Sequence, residues 1–214
     1  MSFKEKKYFV IKEAISPELA NFAFNYFLLK REAVDWMYKA NYISKFTPGF
    51  GNWEDKQVWG TYSHYGDCVM ETLMMKVLPD MKEQTGLNLI PCYTYARAYK
   101  KGDILVRHKD RPSCEISTTL ALGGDPWPIF IDPTGTNNVI SEDKNIIKPD
   151  APKGTSILLE PGDMLIYSGC DLEHWREPFK GNVCVQTFLH YNNLDGPFGD
   201  KNLYDKRPKL GIPK

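Results

Sequence analysis

Residues 89–110 read LIPCYTYARAYKKGDILVRHKD, and they decide the fold. The first half, 89–99, alternates side chains as a strand with one buried face does. Lys101-Gly102-Asp103 supplies a turn. A strand-like run at 104–107 then resumes the extended chain and leads into His108-Lys109-Asp110. In extended backbone, residues i and i+2 point to the same side. His108 and Asp110 can therefore face one ion.

Working outward, residues 8–15 (YFVIKEAI) read as a first strand. Ser16-Pro17-Glu18 gives an N-cap, a proline at the first helical position and an acid in the first turn. Leu19, Phe22, Ala23, Tyr26 and Phe27 recur at helical spacing, which predicts a helix to about Met37. Residues 42–65 are rich in Gly, Trp and Tyr and form a candidate lid or active-site loop. A second helix is expected from Asp67 to Gly86, kinked or split by Pro79. Short apolar runs follow at 114–122, 129–132, 156–159, 164–167 and 183–191, separated by turn signals such as Gly123-Gly124-Asp125-Pro126 and Glu160-Pro161-Gly162-Asp163. That rhythm indicates a sandwich or barrel. The expected class is mainly β with flanking N-terminal helices (α+β). One domain spans 1–214, with helical support at about 16–86, a β core at about 87–192 and a tail at 193–214. Residues 141–153 read as an exposed connection. The tail is expected to pack loosely or to close over the mouth of the barrel.

A chain of 214 residues suits a single domain with a sizeable core. With 27 basic and 27 acidic side chains it has no global field to attract nucleic acid or an anionic membrane, although nucleic acid is not excluded as a substrate. The five cysteines are odd in number and show no CxxC spacing, which argues against a disulfide framework and for a reducing compartment. No secretory leader and no run of about 18 apolar residues is evident. The expectation is a soluble, cytoplasmic protein; the oligomeric state is left open.

Only four histidines are present, His64, His108, His174 and His190. His174 follows a turn and a strand-like run, 164–167, and is well placed to join His108 and Asp110. Two imidazoles and one carboxylate on one side of an ion leave the other side open, as in the facial triad of non-haem Fe(II) oxygenases. Nitrogen and oxygen donors without thiolate also suit Fe(II) better than a structural zinc site. An isolated HxD, by contrast, arises often by chance.

The surrounding order of motifs resembles the prolyl 4-hydroxylase-like group of 2-oxoglutarate/Fe(II)-dependent oxygenases. Tyr99 precedes His108 by nine positions with Gly102 in the turn between. Residues 114–122, the Gly123-Gly124 turn with the strand after it, Pro161-Gly162-Asp163 before the distal histidine, and the last strand ending at His190 follow in the family's order. The resemblance covers about 67–192. It implies a double-stranded β-helix (jelly-roll, cupin-like) barrel, with Fe(II) on His108, Asp110 and His174, 2-oxoglutarate as cosubstrate, O2 as oxidant and ascorbate as reductant. It also implies hydroxylation of an unactivated C–H bond in a prolyl residue of a peptide or protein, or in a small metabolite.

One departure stands out. The family places a Lys or Arg about ten positions after the distal histidine to bind the far carboxylate of 2-oxoglutarate. Here that region reads Asn182-Val183-Cys184-Val185-Gln186. Arg176, two positions after His174, is the first substitute, and Arg97, two before Tyr99, the second. Arg97 could instead pair with Glu115, and Arg176 with Glu173 or Glu177. Tyr99 is either a hydroxyl donor to the same carboxylate or a core tyrosine. Arg111 is a candidate to orient Asp110 or clamp substrate, and Lys180 precedes the last strand. His64 lines the substrate mouth or sits in a surface loop, His190 is expected to pack or hydrogen-bond at the end of the last strand rather than bind metal, and Trp175 to shape the pocket or pack in the core. Phe46, Phe50, Trp53 and Trp59 wall a groove or form a satellite cluster. Two rival readings stay open: a cupin-like metalloprotein that does not use 2-oxoglutarate, and a non-catalytic binding module.

Overall fold

Ser16 sets the entry to the long N-terminal helix. Its backbone is extended (φ −61°, ψ 150°), its hydroxyl accepts from the Leu19 amide, and Pro17 fills a position whose amide would be unpaired anyway. In the computed structural model, which describes residues 3–214, a single turn α1 (Phe3–Lys6) and a strand β1 (Tyr8–Ile11) come first, followed by α2 (Pro17–Lys39). Met1 and Ser2, at the head of the segment read as lacking a leader, lie outside the described residues. Strand β1 stops at Ile11 rather than continuing to residue 15. Glu13 turns there (φ 50°), with its amide on Asp163 Oδ1 and Lys12 paired to the same carboxylate. Asp67 caps α3 (Cys68–Thr85) by accepting from the Val69 and Met70 amides, and Gly86 ends it in the left-handed conformation (φ 68°). Pro79 lies inside α3 without splitting it.

The remaining strands are β2 (Tyr62–Tyr65), β3 (Leu89–Lys100), β4 (Leu105–His108), β5 (Ile116–Gly124), β6 (Ile129–Ile131), β7 (Val139–Ser141), β8 (Ile146–Ile147), β9 (Thr155–Ile157), β10 (Met164–Ser168), β11 (His174–Arg176) and β12 (Val183–Asn193). They form a six-stranded sheet, β1-β10-β5-β12-β3-β2, a four-stranded sheet, β4-β11-β6-β9, and a hairpin, β7-β8. All the pairings are antiparallel.

The large sheet buries both faces. Leu120, Leu122, Val185 and Leu189 pack with Ala23 and Phe27 of α2 and Met70, Met74 and Val77 of α3. Its other face meets the small sheet: Tyr99, Cys184 and Phe188 cluster with Leu105, while Ala121, Leu165 and Tyr167 cluster with Ile129 and Ile131. Two stacked sheets make the double-stranded β-helix expected from the sequence. Among the described residues no strand pairs across the sheets, so the architecture is an open sandwich rather than a closed barrel.

Two segments are more ordered than their composition suggests. Residues 141–153 are an exposed connection as expected, yet they carry β8 and the end of β7, and the Pro152 carbonyl accepts from Arg107. The tail is strapped down rather than loose. Arg207 donates to the buried Glu71 of α3, and Glu71 also accepts from the Gly211 amide. Asp205 accepts from the Tyr65 hydroxyl and the Lys214 ammonium, both at 2.7 Å, and pairs with Arg111. Among the described residues no helix is long and apolar enough to cross a membrane. Removing one partner of a buried pair leaves an uncompensated charge, at a cost of about 3–5 kcal/mol. Arg207→Met is therefore expected to lower unfolding stability by about that much in urea titrations; a loss below about 1 kcal/mol would show that the strap does not anchor the tail.

Candidate metal centre

Strands β4 and β11 lie side by side with His174 opposite His108 in the register, which brings the two ring centroids to 4.3 Å. Asp110 follows β4 and is fixed by its amide, which donates to the Gly169 carbonyl at 2.9 Å. Its Oδ1 stands 3.6 Å from Nε2 of each histidine. The three ligand atoms lie within 4.8 Å of one another, a spacing that one ion can bridge. Each imidazole uses Nδ1 to donate to a backbone carbonyl, His108 to Val106 at 2.8 Å and His174 to Leu172 at 3.0 Å. Both Nε2 atoms are thereby left unprotonated, the tautomer a metal ligand needs. That of His174 has no hydrogen-bond partner among the described residues, whereas that of His108 accepts a hydrogen bond. Gln57, from the 42–65 loop, places its side-chain amide 3.1 Å from His108 Nε2.

The electrostatics fit the same picture. Burial opposes ionisation of Asp110, yet the His174 and His108 rings hold it well below the carboxylate range. Burial would lower His108, but Asp110 outweighs it and the net shift is upward. A cation competes with the proton that the carboxylate draws onto His108, so metal affinity falls as pH drops through the imidazole range.

Asp110 Oδ2 does different work. It accepts from Ser117 Oγ at 2.9 Å, and Gly169 packs against it so closely that a Cβ there would collide with Oδ2, the Cys114 carbonyl and Ser117 Oγ. On the opposite face of the ligand strands, Arg107 donates to Glu173 Oε2 at 2.7 Å, to Asp132 and to the Pro152 carbonyl, with its guanidinium over the Trp175 ring. Asn138 and the amide of Val139 complete the shell of Glu173.

A cavity of about 240 Å3 opens on the three groups, lined among others by Asp55, Tyr93, Tyr95, Arg97, Phe188 and His190. The 42–65 loop reaches this cavity through Asp55 and Gln57 and not through its aromatics. Trp53 and Phe50 pack toward the helices, and Phe46 and Trp59 are exposed. The candidate anchors separate sharply. Arg97 lines the cavity but is committed: it donates to Asp55, to Gln57 Oε1 at 2.6 Å and to the Tyr99 hydroxyl at 3.3 Å. Its partner is thus Asp55, while Glu115 receives Asn192 and the Asn193 amide instead. Arg176 pairs with neither Glu173 nor Glu177. It donates to the Trp127 carbonyl and to Thr119 Oγ1 at 3.4 Å, leaves Nε without a partner and lies over the Trp127 ring. Of the four buried arginines among the described residues, Arg176 alone lacks a carboxylate. Neither Arg176 nor the buried Tyr99 lines the cavity, so a ligand reaching them must displace wall side chains.

Other expectations are corrected. Arg111 does not touch Asp110; it lies over the Tyr93 ring and pairs with Asp205. His64 is on β2, buried, with Nδ1 on Asp67, and so is neither a surface-loop residue nor a wall of this cavity. Lys180 is exposed. Asp55, Gln57, Ser117 and Gly169 were not identified from the sequence, since no spacing links them to the HxD motif.

No family model matches the sequence, and no curated protein matches it. Solved structures do. A prolyl-4-hydroxylase from Pseudomonas putida superposes with a TM-score of 0.57 at 14% identity, covering 89% of this chain and 95% of that one. HygX from Streptomyces hygroscopicus, with nickel, 2-oxoglutarate and hygromycin B bound, gives 0.62 at 13% identity, with 89% and 84% covered. The non-heme alpha ketoglutarate dependent epimerase SnoN from nogalamycin biosynthesis gives 0.60 at 11%, with 99% and 92% covered. At such identities the likeness is one of fold.

Support around a metal ligand commonly governs affinity by 10–100-fold. Gly169→Ala is expected to weaken Ni(II) or Mn(II) binding by roughly that factor in calorimetric titrations, with the circular dichroism unchanged. Wild-type affinity in this variant would show that the packing on Asp110 is dispensable.

Proposed function

We propose that this chain is an Fe(II)- and 2-oxoglutarate-dependent oxygenase that hydroxylates an unactivated C–H bond, in a prolyl residue or a small metabolite. What carries the reading is a buried guanidinium without a carboxylate, two residues along the strand that presents His174. A fixed charge in a dry interior is costly unless matched, and the dicarboxylate cosubstrate of structurally similar enzymes is the charge it lacks.

The residues fit both groups. His108 and His174 offer unprotonated Nε2 atoms, that of His108 once Gln57 gives it up, and Asp110 offers Oδ1, a nitrogen and oxygen set suited to Fe(II). Arg176 would receive the far carboxylate of 2-oxoglutarate, with Thr119 beside it and the Tyr99 hydroxyl as a further donor. When bound, Fe(II), 2-oxoglutarate and O2 supply the oxidant for C–H cleavage, with succinate and CO2 as the other products. The chain's own task is positioning. Arg107 holds the two ligand strands in register, Ser117 and Gly169 fix the carboxylate, and Asp55 and Gln57 bring the loop over the cavity to limit water. At about 240 Å3 the cavity lies just below the usual span of roughly 300–1,000 Å3 for ligand pockets, so it suits one small group rather than a bulky ring system. That is consistent with a single prolyl ring or a compact metabolite entering.

The rival 2-oxoglutarate-independent reading drew its support from the missing cation on the last strand. Gln186 does stand there, accepting from Thr119, yet Arg176 offers its unmatched charge from β11 against the same threonine. His108→Ala or Asp110→Ala should abolish Fe(II) binding and succinate formation; turnover equal to wild type in either variant would sink the assignment. Arg176→Met should raise the 2-oxoglutarate KM by about 100-fold, or about 2.7 kcal/mol, while leaving urea stability unchanged or higher because an unmatched buried charge has gone. Arg97→Met should do the opposite, destabilising the fold by stranding Asp55 with little change in KM. The reverse ranking of the two KM values would move the anchor to Arg97.

A further inference from the structure

His190 lines the cavity from β12, and its two ring nitrogens are unequal. Nδ1 lies 2.9 Å from Ser117 Oγ. That hydroxyl has one proton, and its two other neighbours, Asp110 Oδ2 and the Cys114 carbonyl, both at 2.9 Å, have none to give. A hydroxyl bond to a carboxylate is charge-assisted and stronger than one to a neutral ring nitrogen, which favours the serine proton on Asp110 Oδ2 and a histidine that donates from Nδ1. Nε2 is left as a bare acceptor. It makes no hydrogen bond within the described residues, and His190 lines the same cavity as His108, Asp110 and His174. Tyr93 packs against the ring at 4.5 Å and is itself stacked on Tyr65 at 5.1 Å, which supports its orientation.

From this we infer that His190 Nε2 is a substrate-positioning acceptor, which selects substrates carrying an amide N–H or hydroxyl next to the carbon that is oxidised. The inference rests on the oxygenase reading for what happens to that carbon, but not for the binding itself. A histidine that merely packed would have both nitrogens satisfied or sealed in apolar surroundings. Here one is satisfied by a chain leading to a metal ligand and the other is presented to the cavity. Tyr93, Tyr95 and Phe188 around it offer apolar faces to the remainder of the group.

The test uses the full chain, labelled with 15N-histidine and loaded with Zn(II) as a diamagnetic stand-in. Long-range 1H–15N spectra at neutral pH should show His190 with Nδ1 in the protonated range and Nε2 in the unprotonated range. The resonance is assigned by its loss in His190→Gln, or, should that variant not fold, by its change to a mixed tautomer in Ser117→Ala. N-methylacetamide should then shift His190 Nε2, whereas N,N-dimethylacetamide, with a methyl in place of the N–H, should not; 2-propanol reports the hydroxyl arm. A shift with the amide alone assigns an amide donor, and with the alcohol alone a hydroxyl. A protonated Nε2, equal responses to the two amides, or no response to any probe overturns the proposal. The metal reading is tested apart from it, since His108 and His174 Nε2 must move on Zn(II) addition whatever His190 does.

Discussion

Arg107 carries one guanidinium into a buried corner that holds two carboxylates, Asp132 and Glu173, and the rest of the centre depends on how it satisfies them. Arg107 immediately precedes His108, and Glu173 immediately precedes His174. Adjacent residues of a strand point to opposite faces, so an ion pair on the outer face of the small sheet fixes two imidazoles on its inner face. A slip of one residue would exchange the faces on both strands. The pair that resists the slip is thus the same pair that sets the His174–His108 register. The excess negative charge is spread over amides from the 132–139 loop, with Thr134 on Asp132 and Asn138 and Val139 on Glu173. That loop owes its order to the clamp as much as the strands do.

Arg176 shows the complementary case on the inner face. It is as buried as Arg107, yet its only hydrogen-bond acceptors are a carbonyl and a threonine hydroxyl. The Trp127 ring offsets part of the charge, and burial pushes the guanidinium below its ordinary range. An anion that bound there would find its donor already desolvated and held in place, so less of the binding free energy would go into ordering the site. A paired arginine such as Arg97 would first have to give up Asp55. Occupancy and stability are therefore tied: whatever binds Arg176 in the folded state stabilises the fold by mass action.

What the sequence made legible was local. Alternation, turn residues and helix caps are written within a few positions of one another, so α2, α3, β3 and the two-residue spacing of His108 and Asp110 could be read directly. His174 could be placed because a turn and strand lead into it. The misreadings concern partners distant in the chain. Arg97 meets Asp55 from 42 residues away, and Arg207 meets Glu71 from 136. No periodicity encodes such contacts. Arg111 was read as a neighbour of Asp110 because it follows it in sequence, but the chain turns into the short helical segment at Pro112–Cys114 and sends the guanidinium over Tyr93. His64 read as a loop residue because the Gly- and aromatic-rich stretch around it hides a strand that forms only by pairing with β3.

Asp110 joins these strands of argument. Its Oδ1 faces both imidazoles, while its Oδ2 is held by Ser117, whose hydroxyl oxygen also lies 2.9 Å from His190 Nδ1. A carboxylate free to rotate could offer either oxygen; this one is held by a hydroxyl on one side and by the absence of a side chain at Gly169 on the other. The hydroxyl has a single proton to share among these neighbours, so turning it toward His190 would cost Asp110 Oδ2 its donor. The same bond that orients the ligand therefore dictates the tautomer of the cavity wall. The inner surface of the site is accordingly built as one unit: a change at Ser117 would be felt at the ion and at the acceptor together, and any energetic coupling between them runs equally in both directions.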